Sequence, residues 1–532
     1  MKNVHGLKNA GSAAARLLLN RREVLAAGAA LGLSTFGATR ALAQTPVRGG
    51  TLRVGLIGGG ASVDTLDPHA ETLSPELSQS ARQLCFSKLA DMQPDGSFVL
   101  QLAESMEPNA DATVWHIKLK SGITFHDGSE LTTDDVIYTL RRILDPKNET
   151  LANARGNIDM IDPNGLEKVD KTTMNVKLTR PWSDLISAVG QRYISIVKNG
   201  ATAPWTVENF IGTGPFKLTE WVPGERYTYV RNDNYFEDGK PYLDGVVAIG
   251  IQDPVARVNA LIGGQVDAIC DVAASQAAIV QGAGLELVVN PGGGWTPLIM
   301  DTTAAPFDDV RVRQAMKLLV NRQQSVESVL QGYGSIGNDV FARWDPLYNA
   351  DLPQQTFDPE KAKWLLKEAG HADTTFKLHG SDADANMMPL ALVFAQGAKQ
   401  AGIKVDIQKD PTDTFWSQTY GKVPFTFSSW GYRPFFAQWM AAFVAFNDSE
   451  TKWKNDVAKK AHSLVLEAAS SSDQALKTQL AHEAQKLMQE DSGYIIPFFK
   501  QTIDARSKKV QGVEPHVFPY LSWYRFANVW LA

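Results

Sequence analysis

The sequence predicts an α/β fold, because segments with the two-residue period of strands alternate with segments that have the period of helices. Residues 114–120 alternate apolar and polar side chains, which is typical of a half-buried strand. Residues 136–144 then place their apolar side chains at helical spacing, on one face. This alternation continues through the chain, and it disfavours both a β-sandwich and a helical bundle.

The first elements are marked by turn and capping residues. Gly49 and Gly50 form a turn before a short strand over residues 51–55. Further on, Thr132 or Thr133 is placed to cap the helix that follows, and the acidic residues of its first turn complement the helix dipole.

Three later helices are predicted from apolar spacing. The first covers residues 312–320, and the second begins at Asp358-Pro359 and ends at Gly370. The third runs through residues 476–488. The chain shows no internal repeat of fixed period and no long low-complexity linker.

Length and composition favour a globular chain of two or three domains. It has 532 residues, of which 44% are hydrophobic and 21% charged. The net charge is −6, and removal of the basic first 43 residues leaves a chain near −11. Such an acidic surface argues against nucleic-acid or anionic-membrane partners.

The N-terminal segment has the order of an export signal. Arg21-Arg22 precede a weakly apolar, Gly/Ala-rich stretch, and residues 41–43 form a small-x-small cleavage site. We predict a twin-arginine type signal peptide over residues 1–43, cleaved after Ala43. The alternative is an ordinary amphipathic helix. No lipid-attachment cysteine follows, so we expect a free, soluble product that is handled by the twin-arginine export machinery.

The two cysteines, Cys85 and Cys270, lie far apart in the sequence. A disulfide between them is one interpretation in an oxidising compartment. Two small buried side chains is the interpretation that we favour.

Five stretches carry motifs in a fixed order: residues 102–136, 212–244, 264–267, 309–315 and 358–370. Together they resemble one family, the extracytoplasmic solute-binding proteins of ABC importers for oligopeptides, dipeptides and nickel complexes. Their order and spacing hold from about Gly49 to the C-terminus. The residues in them look structural, and we expect Arg231 and Arg313 to pair with carboxylates of the scaffold rather than with a ligand.

The resemblance implies a two-lobed periplasmic-binding-protein fold with central mixed sheets and an additional domain on lobe one. The expected boundaries are 45–85, 200–285 and 505–532 for lobe one, 86–199 for the extra domain, and 286–504 for lobe two. The chain would cross between the lobes near residues 287–290 and 498–502. Two such crossings make a hinge.

The resemblance also implies a function. The protein would capture a peptide-like or small carboxylate-bearing solute between its lobes, close around it, and deliver it to permease and ATPase subunits at the inner membrane. A periplasmic monomer without cofactors is expected. A receptor for chemotaxis or signalling would use the same cleft and stays open as an alternative.

The densest candidate for a ligand wall is the aromatic stretch that ends in Trp430, Tyr432 and Arg433, preceded by Phe415 and Trp416. Peptide-binding relatives place an Asp a few residues after the equivalent Trp. This chain has Arg433 instead, and a guanidinium suits a carboxylate better than an ammonium group. The departure favours a carboxylate-bearing solute, such as an opine-like conjugate or a metal chelate, over an ordinary peptide. The alternative is that Arg433 faces solvent.

Two further contacts are predicted. Trp295 follows the glycines at 292–294 and lies just past the first crossing, although the glycines equally suit a plain loop. His69 lies in an early loop that the resemblance places near the cleft.

Catalysis and metal binding are not predicted. The nine histidines form no metal-binding pattern, and the chain has neither a Gly-x-Ser-x-Gly turn nor a phosphate-binding loop. The acidic pairs 134–135 and 308–309 lie at helix starts, where capping explains them. A secreted hydrolase is therefore only a remote alternative.

Overall fold

The computed structural model describes residues 45–58, 64–70, 76–445 and 450–532. The predicted signal peptide, residues 1–43 with its cleavage site at Ala43, lies outside the described residues. The helices are α1 (Glu76–Cys85), α2 (Thr133–Leu144), α3 (Ala152–Asn157), α4 (Leu185–Val189), α5 (Pro254–Ile262), α6 (Ala277–Gly282), α7 (Val310–Leu318), α8 (Arg322–Val329), α9 (Pro359–Glu368), α10 (Met387–Gln400), α11 (Phe435–Met440), α12 (Asp456–Ser470) and α13 (Gln474–Asp491).

Strands alternate with these helices along most of the chain. They are β1 (Thr51–Leu56), β2 (Ala90–Met92), β3 (Phe98–Leu100), β4 (Ala103–Pro108), β5 (Val114–Leu119), β6 (Ile161–Lys168), β7 (Thr173–Leu178), β8 (Phe216–Val222), β9 (Arg226–Arg231), β10 (Gly245–Gly250), β11 (Ala268–Ile269), β12 (Glu286–Gly294), β13 (Leu298–Met300), β14 (Gly334–Ile336), β15 (Thr375–Gly380), β16 (Lys404–Lys409), β17 (Phe425–Phe427), β18 (Tyr494–Ile495), β19 (Phe498–Arg506), β20 (Val510–Gln511) and β21 (Trp530–Leu531). The α/β class predicted from the sequence is confirmed.

The largest sheet among the described residues has eight strands. Its order is β12-β19-β11-β1-β10-β9-β8, and β14 pairs with the early part of β19. Strand β1 runs parallel to both neighbours, β10 and β11, whereas the other pairs are antiparallel. The sheet is therefore mixed, as predicted.

Smaller sheets occupy the other two predicted regions. The order β4-β5-β7-β6 lies within the range expected for the extra domain. The sheets β17-β13-β18 and β15-β16 lie within the range expected for lobe two. The domain boundaries themselves remain a prediction. The large sheet includes three strands that we assigned almost entirely to lobe two, namely β12, β14 and β19.

Local signals explain where the predicted helices begin. The carboxylate of Asp135 accepts a hydrogen bond from the backbone N–H of Thr132 at 2.8 Å, which fixes the start of α2. The Asp358 carboxylate accepts from the N–H of Lys361 at 2.9 Å, and Pro359 occupies the first turn of α9.

Two arginines in the stretches that carry the resemblance pair with scaffold carboxylates, as predicted. Arg231 lies 2.9 Å from Asp233 and 3.1 Å from Asp244. Arg313 is buried and lies 2.8 Å from Asp491. The two cysteines are buried and free, which excludes a disulfide between them.

Candidate ligand-binding cleft

A cleft of about 740 Å³ lies beside the paired strands β12 and β19. This volume falls in the range of small-molecule sites. Its lining comes from β12 and β19, from the loop after β11, from the C-terminal segment, and from three further stretches of predicted lobe two. The lining residues are Asp271–Ala274, Gly292–Gly294, Ser328–Gln331, Tyr333, Ala385, Asn386, Pro389, Ser429–Tyr432, Lys500–Ile503, Pro519 and Tyr520.

Lys500 on β19 supplies a cation to this cleft. Its ammonium lies 3.2 Å from the carboxylate of Asp384, which also accepts a hydrogen bond from the Ser429 hydroxyl at 2.6 Å. Burial raises the pKa of Asp384, but Lys500 and Ser429 together bring it below its ordinary value. The Asp384 carboxylate therefore favours its ionised form, and it holds the Lys500 side chain in place at the cleft.

Asp271, in predicted lobe one, supplies a carboxylate to the cleft. Its backbone has φ +54°, a left-handed conformation that is unusual for a residue other than glycine. Its carboxylate lies 3.4 Å from the guanidinium of Arg257, a long ion pair, because Arg257 also donates to the carbonyls of Cys270 and Ile251. Burial raises the pKa of Asp271, and Arg257 lowers it less than burial raises it.

Trp430 forms part of the cleft wall and is fixed from behind by Trp295. The two rings are nearly parallel, with centroids 5.9 Å apart, and the two backbones exchange a pair of hydrogen bonds. Trp295 is 1% exposed, so it supports the wall rather than lining the cleft. The predicted role of Trp295 as a second wall is thus taken by the glycines that precede it.

A buried carboxylate holds the edge of Trp430. Glu450 accepts from the Trp430 indole N–H at 3.0 Å and from the Tyr420 hydroxyl at 2.7 Å. The hydroxyls of Ser428 and Tyr494 also donate to it. Burial raises the pKa of Glu450, and these donors offset part of that rise. Sequence reasoning missed Glu450, because nothing local marks a residue whose partners lie far away in the chain.

Tyr432, in predicted lobe two, packs in the hydrophobic core that contains Phe518. Its ring meets that of Phe518 edge to face, with centroids 5.6 Å apart. It also packs against Gly293, where a Cβ atom would collide with the tyrosine ring. Tyr432 lines the cleft and is nearly buried.

Arg433 does not line the cleft. Its guanidinium carbon lies 5.5 Å from the centroid of the Trp430 ring, and its side chain lines a separate cavity of about 60 Å³ beside Trp182 and Phe436. We predicted Arg433 as the cation of the ligand site, whereas in the structure Lys500 is the cation that lines the cleft.

The remaining predicted contacts also lie elsewhere. Phe415 is fully buried in a core of predicted lobe two, and the neighbouring Trp416 is exposed. His69 is fully buried: its Nε2 lies 2.7 Å from the Ser195 carbonyl and its Nδ1 2.5 Å from Arg142. Of the seven predicted residues, the structure thus brings Trp430 and Tyr432 to the cleft, with Trp295 directly behind them.

Within the described ranges, no group of three His, Cys, Asp or Glu side chains is arranged to hold a metal ion. The helices of these ranges are also too short or too polar to cross a bilayer.

Known proteins resemble this chain over most of its length. The model of a family described as bacterial extracellular solute-binding proteins, family 5 Middle, matches residues 97–452. The glutathione-binding protein GsiB of Salmonella paratyphi A is 27% identical over 511 residues, which are 91% of this chain and 95% of that protein.

Solved structures share the fold. The binding protein AgaA of A. tumefaciens R10, in complex with agropinic acid, aligns with a TM-score of 0.71 and 25% identity over 91% of this chain and 99% of that one. NikA of Brucella suis, in complex with Fe(III)-EDTA, aligns with a TM-score of 0.77 and 20% identity over 91% and 100% of the two chains.

Proposed function

This chain belongs to the bacterial extracellular solute-binding proteins of family 5, and we propose that it captures a small carboxylate-bearing or peptide-like solute for an ATP-driven importer. The relatives named above bind glutathione, agropinic acid and an iron–EDTA complex. These three molecules share carboxylate groups. A permease and an ATPase at the inner membrane are the partners that such a receptor serves.

The observation that carries this proposal is the cleft beside β12 and β19, which presents a cation and an anion. Lys500 is placed to bind a carboxylate of the solute, and Asp271 an ammonium or amide N–H group. Trp430 and Tyr520 add aromatic faces to the lining of the same cleft. A solute that carries both charges and an apolar portion matches this lining.

Closure follows from the position of the two strands. Asp271 belongs to predicted lobe one and Trp430 to predicted lobe two, while β12 and β19 connect the two lobes. A solute that touches both sides stabilises the closed form, because it gains contacts there that the open form lacks. The closed form is the species that the permease recognises.

The location proposed for the mature protein is the periplasm. The family is extracellular by description. The predicted signal over residues 1–43 would direct export through the twin-arginine machinery, and the mature chain would act as a soluble monomer.

A thermal-shift screen of the purified mature chain tests the function. The solutes are glutathione, agropinic acid, a nickel or iron chelate, and free dipeptides. A solute that binds only the folded protein adds about 2.7 kcal/mol at a hundredfold excess over its Kd. We expect such a stabilisation from at least one carboxylate-bearing solute. The proposal fails if none of these solutes shifts the melting temperature.

A pair of lysine variants tests the site. Lys500→Met removes the cation of the cleft, and we expect it to weaken binding of that solute about tenfold or more, since hydrogen bonds to charged groups contribute about 1.5–3 kcal/mol. Lys452→Met is the matched control. Its lysine pairs with Asp301, which is 10% exposed, much as Lys500 pairs with the 9% exposed Asp384, but it does not line the cleft. Equal affinity losses in the two variants would contradict the assignment of Lys500.

A further inference from the structure

Arg82 on α1 is a buried cation with no hydrogen-bond partner among the described residues. Its side chain is 1% exposed, and Nε, Nη1 and Nη2 all lack a partner in that part of the chain. The amide oxygen of Gln79, one turn earlier on the same helix, is buried without a partner there as well. A guanidinium carries five N–H donors, so its burial without acceptors is costly.

Other buried arginines of this chain donate to acceptors of the fold. Arg257 donates to the carbonyl of Cys270 at 2.9 Å, and Arg313 donates to the carboxylate of Asp491 at 2.8 Å. Both are about as buried as Arg82. The described residues thus supply acceptors where a guanidinium is structural, and they supply none at Arg82.

The carboxylates that act on Arg82 are engaged by other donors. Asp67 accepts from Arg142 at 2.6 Å, and Glu76 accepts from the Tyr524 hydroxyl at 2.6 Å. Both act on Arg82 only through their electric field. Burial lowers the pKa of Arg82 by more than Tyr193, Asp67 and Glu76 raise it.

A chain of ring contacts connects Arg82 with the cleft. Its guanidinium lies 5.5 Å from the centroid of the Tyr193 ring, on which Arg192 also lies at 4.6 Å. Arg192 in turn lies 5.7 Å from the Phe518 ring, which packs against Tyr432 on the cleft wall. Arg82 is therefore behind the lobe-one side of this wall.

We propose that Arg82 binds a carboxylate of the transported solute, in an extension of the cleft behind Phe518 and Tyr432. This inference rests on the proposed function and narrows it. With Lys500 taking one carboxylate, the solute class is a peptide-like molecule with a second acidic group. A guanidinium fork is suited to a bidentate carboxylate, which would supply the missing acceptors.

An isosteric pair of dipeptides, Ala-Glu and Ala-Gln, tests the role of Arg82. The side chain of Ala-Glu ends in a carboxylate, and that of Ala-Gln ends in an amide of nearly the same shape. We expect the wild-type protein to bind Ala-Glu at least tenfold more tightly in isothermal titration, and Arg82→Met to bind both equally. Arg82→Lys keeps the charge without the fork, and we expect it to retain a reduced preference. If Arg82→Met lost the same amount of affinity for both peptides, Arg82 would act on the structure of the site and not on the second carboxylate. That result would overturn the proposal.

Stability of the free protein provides a second readout that needs no solute. Because Arg82 has no hydrogen-bond partner in the described part of the fold, Arg82→Met is expected to match or exceed the melting temperature of the wild type. A lower melting temperature would make Arg82 a structural counter-ion and overturn the inference. If no solute binds the wild type, the proposed function fails, and this readout still decides whether Arg82 is partnered within the fold.

Discussion

At the residue scale, His69 belongs to a buried hydrogen-bond network and does not line the candidate cleft. Its two ring nitrogens are engaged by the Ser195 carbonyl and by Arg142, and Arg142 is paired with Asp67. Burial lowers the pKa of His69 to about 4, and the charge of Arg142 contributes to this fall. The imidazole is therefore neutral in the folded protein at physiological pH.

This neutral state predicts a pH dependence of stability. The unfolded chain protonates His69 near its ordinary pKa of 6.5, whereas the folded chain does so only near 4. The contribution to stability is complete above pH 6.5 and is lost as the pH falls toward 4. At about 1.4 kcal/mol per pKa unit, the loss is roughly 3 kcal/mol.

His69→Gln tests this dependence, because glutamine offers a donor and an acceptor but does not titrate. Urea unfolding at about pH 7 and about pH 4.5 should show a smaller loss of stability for the variant than for the wild type, by about 2 kcal/mol. The exposed His116 provides the control His116→Gln, which should follow the wild type. If the free energy of unfolding fell equally with pH in His69→Gln and in the wild type, His69 would not be the source of this pH dependence.

Site residues whose partners are distant in the sequence could not be predicted from it. Trp430 and Tyr432 were found because aromatic side chains cluster in the chain itself. Lys500 and Asp384 are 116 positions apart, and each alone is an unremarkable charge. Arg82 likewise lies among ordinary helix residues, and only its burial without a partner among the described residues distinguishes it.

At the scale of elements, β12 and β19 place the cleft. Their register shifts between Asn290 and Gly294, so the glycines bulge toward the cleft while the strands stay paired on both sides. Gly292 has φ +64°, and a Cβ atom there would collide with the carbonyl oxygen of Lys500. Only glycine permits this approach of two backbones.

Two glycine substitutions separate backbone strain from collision. Gly284→Ala strains a residue at φ +79° that has open space around it, and we expect a cost of about 1 kcal/mol. Gly292→Ala has the same kind of strain and also forces β12 away from β19, which we expect to add roughly 2 kcal/mol. Urea denaturation measures both, and equal costs would contradict the close approach at Gly292.

Elements with local start signals were predicted well, and glycine-rich ones were not. The starts of α2 and α9 follow from Thr132 and Asp358, whose neighbourhoods carry capping partners. The stretch at 292–294 suits a loop equally well, because glycine lacks the side chain from which strand periodicity is recognised. Pairing with β19, far along the chain, makes it a strand.

At the scale of the whole molecule, Tyr432 connects the two sides of the cleft. It follows β17, whose neighbours belong to predicted lobe two, yet it packs in the core that contains Phe518 and β1 residues. A movement of predicted lobe two away from this core would break the contact between Tyr432 and Phe518. The two-lobed fold was predictable from ordered family stretches, whereas this contact depends on how the lobes meet.

Tyr432→Ala should therefore favour the open form. We expect a roughly 30-fold loss of affinity for the solute found in the screen, which corresponds to about 2 kcal/mol, and a larger radius of gyration by X-ray scattering. The Tyr432 hydroxyl has no partner among the described residues, so Tyr432→Phe should bind as the wild type does. Unchanged affinity in Tyr432→Ala would exclude a role in closure.

The order of strands in the large sheet has a consequence for how the protein is made. Strand β19, at residues 498–506, lies between β12 and β11 in the sheet. On its other edge, β11 pairs with β1, which lies near the start of the described residues. The ribosome makes β11 and β12 long before β19, so until β19 emerges these two strands expose edges that lack their partner. The central sheet of the nascent protein is therefore completed only when β19 has been made, and until then the edges of β11 and β12 are open to pairing with other chains.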